Sequence, residues 1–224
     1  ALGQADAAHA QFTAAIQLDS EFVPAYVNAA DVLRAQGRDQ ESAEMLQQGL
    51  QRVPMSATLH HALGLARIRL QQPDLAMGSF RRAVELDPAT ARYSYVYAVA
   101  LHSTGQTDES IRRLQEAVKR WPYDREMLMA LTSFQLESGK RQDAQVTARR
   151  LVAAYPTDPQ VRVLAAQADS IWGVIAGRIP GGEVRAPQLL RRTDAEPLDQ
   201  LHRIAHREIE RLHARRFHVH DVSR

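Results

Sequence analysis

A small residue at Ala8, Ser42, Ala76 and Ser110 is followed four positions later by a bulky one at Phe12, Leu46, Phe80 and Leu114, and each series advances by 34 residues. Spacing of four puts both members on one helix face. The small positions suit close crossing of paired helices, and the bulky ones fill the space between successive pairs. Ala144 continues the small series, but Ala148 and Leu151 break the pattern that follows it. Pro54, Pro88, Pro122 and Pro156 keep the same 34-residue step, with Ser20 in that place one period earlier. Proline cannot extend the hydrogen-bond ladder of the preceding turn, so each one closes a helical stretch. Gly37, Gly105 and Gly139 stand 17 residues before successive prolines, Gln71 takes the place once, and Gly3 keeps the register at the start. A left-handed residue is predicted there, ending the first helix of each pair. Asp6, Asp74 and Asp108, three residues further on, are expected to cap the second helix.

The period is the length of one helix-turn-helix unit. It predicts a half repeat, full repeats over 23–56, 57–90, 91–124 and 125–158, and one more helix over 159–172. Gly173 still keeps the glycine register, but Arg178 stands where a small residue is due, so the array is expected to span 1–173. Pro180, Gly181, Gly182 and Pro187 mark a linker over 174–195. Beyond it, Leu198, Leu201, Ile204, Ala205, Ile209 and Leu212 share one sector of a predicted amphipathic helix over 196–217, with 218–224 as a tail.

These features resemble the tetratricopeptide repeat family over roughly Ala1 to Gly173. The best match runs from Ala57 to Pro88, with Leu63, Gly64, Ala76, Phe80, Ala83 and Pro88 on the motif's preferred positions. His60 and Ser94 depart from it where a large aromatic is usual. The resemblance implies an all-α superhelical solenoid, to which the sequence adds a C-terminal helix. It also implies a concave groove lined by the first helix of each pair, serving as a scaffold for a peptide or partner protein. Carried over by register, the groove residues are Val27, Asp31, Arg34, His61, Leu65, Ile68, Arg69, Arg92, Tyr95, Val99, His102, Met129, Ser133 and Leu136. Tyr97 is expected to pack inside. Some family members clamp a C-terminal carboxylate with Lys and Asn. The matching places here are Val27, Asp31, His61 and Leu65, with only Asn28 of the right type, so that clamp is not expected.

Composition narrows the chemistry. Of the 224 residues 45% are hydrophobic, enough for a sizeable core. The formal charge of only +2 gives no whole-chain signal for nucleic acid, and the Arg203, Arg207, Arg211 and Arg215 stripe is interrupted by Asp199, Glu208 and Glu210. No cysteine is present, which excludes disulfides, thiol catalysis and covalent haem attachment. No nucleophile, phosphate loop or paired-carboxylate motif accompanies Asp31 or His61, so the chain is read as a non-enzyme without a cofactor. His202, His206 and His213 on the C-terminal helix form the minor alternative, a metal site, with His218 or His220 to complete its shell. That helix's apolar sector otherwise suits docking on the array or self-association.

No apolar run approaches membrane-spanning length. The expectation is a soluble protein of the bacterial cytoplasm or periplasm, bacterial because arginine so exceeds lysine. The start at Ala1 without Met reads as a piece of something longer. A second function is kept open on a short resemblance. The stretch from Ala91 to His102 is similar to repeat tails of exported bacterial multihaem cytochrome-type proteins, which implies a structural module of a larger redox protein.

Overall fold

The computed structural model describes residues 2–169. The expected linker, the helix over 196–217 with His202, His206 and His213, and the tail lie outside the described residues. Every regular element among those described is helical: α1 (Leu2–Leu18), α2 (Val23–Ala35), α3 (Asp39–Arg52), α4 (Ala57–Arg69), α5 (Pro73–Leu86), α6 (Ala91–Ser103), α7 (Thr107–Arg120), α8 (Arg125–Glu137), α9 (Arg141–Ala154) and α10 (Pro159–Asp169). They fall into two compact units, residues 2–100 and 101–169.

The turn between the helices of a pair is built as the glycine register predicts. Gly37, Gly105 and Gly139 have φ of +76°, +81° and +75°, and Gln71 is held at +58° in the same role. The turn closes with one repeated bond, since the amides of Arg38, Gln72, Gln106 and Lys140 donate to the carbonyls of Leu33, Arg67, Leu101 and Gln135. The chain tolerates the misfit at Gln71 because its amide still donates to the Ile68 carbonyl at 3.0 Å.

The capping expectation is corrected. Asp74 and Asp108 sit inside the first turns of α5 and α7, whose N-cap residues Gln72 and Gln106 make no side-chain cap, and Asp6 lies within α1. There Asp74 and Asp108 complement the positive helix end without closing it. Side-chain caps occur instead on first helices. Ser56 accepts from the Leu59 amide, Asp124 from Met127, and Asp158 from Gln160 and Val161.

In the first unit the core gathers Tyr26, Ala30, Ala43, Leu46, Leu59, Leu63 and Ala66. Phe80, 1% exposed, lies across Gly64, where a side chain would meet the ring. Each fully buried leucine contributes about 2 kcal/mol. In the second unit Ala144, Ala148, Ala165 and Ala168 pack together, with Leu136 and Val152 against them. Full repeats place a bulky and a small residue three positions apart: Leu46 with Gly49, Phe80 with Ala83, Leu114 with Ala117. The fourth reverses the order with Ala148 and Leu151, and both are buried, so bulk lost at one site returns at the other. A buried polar pair, Thr147 donating to Gln135 at 2.9 Å, ties α9 to α8.

Candidate functional site

On α2, Val27, Asp31 and Arg34 are spaced along one face. On α4, His61, Leu65 and Arg69 stand at successive steps of four, again along one face. In the first unit the two stripes enclose a cavity of about 210 Å³. Leu46 and Ser42 of α3, and Arg92 and Tyr93 of α6, complete its lining together with Ala30, Thr58, Ala62 and Ala66.

The polar groups differ in how they are held. Arg69 forms a two-pronged pair with Asp39, Nε to Oδ1 at 2.6 Å and Nη2 to Oδ2 at 3.2 Å. Arg34 meets Asp31 at 3.5 Å, and its buried Nε and Nη2 donate no hydrogen bond. Burial lowers the pKa of Arg34, Asp31 opposing and the Arg69 charge reinforcing that shift. The guanidinium of Arg92 lies 5.6 Å from the centre of the Tyr95 ring, within cation–π range. His61 is tilted against Tyr93 at 4.8 Å and Phe80 at 5.9 Å, and its buried Nδ1 has no hydrogen-bond partner. Burial, with Arg92 nearby, lowers its pKa to about 3, so the ring is neutral at physiological pH. An uncharged imidazole among aromatic rings forms part of the cavity wall.

Seven of the groove residues named from the sequence therefore meet in one cavity: Val27, Asp31, Arg34, His61, Leu65, Arg69 and Arg92. Ile68 and Val99 do not face a groove, each being 2% exposed. Ile68 adjoins Arg69, and neighbours on a helix diverge by about 100°, so only one of them can face the cavity. Val99 belongs to a stretch buried on successive residues from Ala98 to Leu101. Tyr95 is half-buried beneath Arg92, and Tyr97 is half-buried rather than enclosed.

In the second unit His102 is pinned. It stacks on Phe134 at 3.7 Å, with Nε2 2.9 Å from Glu137 and Nδ1 3.1 Å from the Thr107 hydroxyl. Met129, Ser133 and Leu136 are half-buried along α8. The reading of the sequence missed Tyr93 as a wall of the cavity, although it stands 32 residues after His61, close to one full period. Among the described residues no three His, Asp or Glu side chains gather as a metal site would need, and no helix is long and apolar enough to cross a membrane.

Helix pairs repeating every 34 residues, closed by left-handed turns and presenting first-helix stripes to a cavity, define a helical-repeat protein of the scaffold class. Family models described as tetratricopeptide repeat match residues 1–57 and 61–125 in one case and 101–168 in the other, and the chain belongs to that family. Its members serve as protein-interaction scaffolds. Among solved structures, the chain is similar to YrrB, a TPR protein with an unusual peptide-binding site, at 22% identity and a TM-score of 0.61, over 74% of this chain and 85% of that one. It is similar to MamA at 17% identity and a TM-score of 0.60, over 70% and 86%. It is also similar to the C-terminal part of a TPR repeat-containing protein from Cytophaga hutchinsonii, at 11% identity and a TM-score of 0.66, over 78% and 69%. No curated protein matches the chain.

Proposed function

We propose that the chain binds an extended segment of a partner protein in the cavity between α2, α4 and α6. The observation that carries this reading is the cavity's make-up, in which apolar Val27, Ala62 and Leu65 stand beside donor-rich arginines on regularly spaced helical positions. Apolar walls take up side chains of a bound strand, while guanidinium groups meet its carbonyls and acids. The peptide-binding site attributed to YrrB lends support from a protein of the same fold.

A library of random dodecapeptides displayed on phage and selected on the full chain tests it. Enrichment of defined peptides is expected, with binding lost in Leu65→Asp and Val27→Asp at unchanged helicity. Peptides that bind both variants as well as the parent would remove the cavity from the function.

A further inference from the structure

Within that cavity the arginines are not equivalent. Asp39 engages both Nε and Nη2 of Arg69, so the Arg69 fork is already occupied. Arg34 is held differently. Its side chain is 12% exposed, its Nε meets Asp31 only in a long 3.5 Å ion pair, and its buried Nη2 makes no hydrogen bond within the chain. A desolvated guanidinium with unmet donors is costly, and an acceptor that reaches it gains what water no longer supplies. The nearby Arg69 charge adds to that demand for negative charge.

We infer that the cavity reads an acidic side chain, the carboxylate of a Glu or Asp within the bound segment, and that Arg34 is the residue that reads it. This rests on the peptide-binding reading above. The two carboxylate oxygens match the guanidinium fork, whereas a single backbone carbonyl fills one donor and brings no charge. Val27 and Leu65 flank the approach and accommodate the methylenes of the acid, and their low polarity strengthens the charge interaction. Asp31 sets the upper limit on the ligand's charge. Its carboxylate, beside Arg34, repels a phosphate dianion more strongly than a monoanion. His61 supplies no competing positive charge because it is neutral.

The test uses the full chain and the enriched dodecapeptides, resynthesised with amidated C-termini and with each acid replaced by its amide. The Glu→Gln or Asp→Asn exchange at one position is expected to weaken binding about tenfold or more, the size of a lost charge-assisted bond. Arg34→Met removes that discrimination, Arg34→Lys keeps part of it, and Asp31→Asn tightens binding of the acidic form. The acid reading is overturned if enriched peptides bind equally well as amides or bind only with a free C-terminus. A preference of about tenfold for phosphoserine at that position, or discrimination surviving in Arg34→Met, overturns it too. Each of those results leaves peptide binding standing. An absence of any enriched peptide removes the peptide reading, and this inference falls with it. Should Arg34→Met fail to fold, the matched peptide pairs on the parent chain decide.

Discussion

Gly64 and Gly78 give one substitution with opposite outcomes. Both glycines lie inside helices, α4 and α5, and neither has a positive φ. Glycine to alanine within a helix gains about 1 kcal/mol from backbone entropy alone. At Gly78 nothing lies within 4 Å of an added Cβ, so Gly78→Ala should keep that gain. At Gly64 the Cβ would stand 2.5 Å from Phe80 Cε1 and 2.6 Å from Cδ1, where ordinary contact is 3.4–4 Å. The ring has little room to retreat, being 1% exposed. Overpacking of this kind costs about 1–3 kcal/mol, so Gly64→Ala should lose up to about 2 kcal/mol once the helix gain is set against it. For a chain of this size 1 kcal/mol moves the melting midpoint by about 2–4 °C. Thermal melts followed by circular dichroism should therefore move down for Gly64→Ala and up for Gly78→Ala. Phe80→Leu should lessen the penalty of Gly64→Ala when the two are combined. A rise for Gly64→Ala, or the same shift for both glycines, would refute the packing account.

Three further outcomes follow from the structure. Gln71→Gly should stabilise by about 0.5–1 kcal/mol in urea denaturation, since glycine adopts φ +58° without a Cβ penalty; no gain would show that the glutamine side chain compensates. The unfolded chain binds a proton at His61 below its ordinary 6.5, and the folded chain does so only near pH 3, so stability should fall as pH drops from about 6.5 to about 3. His61→Leu should lose that part of the slope when urea midpoints are compared across the window. Arg125 and the α10 amides hold the Asp158 carboxylate below its ordinary pKa, so its contribution is complete above the usual aspartate range and lost as pH falls through the depressed value. Melts between pH 2 and pH 6 should show a shallower acid decline for Asp158→Asn, and equal declines would contradict the pairing.

What could be read before the structure was whatever depends on local backbone geometry or strict register. The left-handed turns at Gly37, Gly105 and Gly139 are of that kind, and so is Gln71, because only one φ region closes this turn. The α2 and α4 stripes came from the register shared with the repeat family. The caps were misplaced because aspartates near a helix start look alike in sequence, and the better signal was Ser56, Asp124 and Asp158, which stand two positions after three of the four periodic prolines. Arg69 with Asp39, and His61 with Tyr93, pair residues 30 and 32 apart on different helices. Which side chains meet there is set by tertiary packing that no local pattern specifies. Ile68 shows the other limit, because a stripe drawn too wide takes in a neighbour that the helix turns to the core.

The reversed order of Ala148 and Leu151 ties the two positions of the fourth repeat together. A larger side chain at 148 alone would press on Ala144, Ala165 and Ala168, which pack with Ala148, while trimming Leu151 alone would open a void, so either single step is unfavourable. A repeat grafted in from elsewhere in the array would therefore have to bring both residues together. Paired departures from the repeat pattern form in this way one unit of packing, and an exchange of either residue should be designed together with the other.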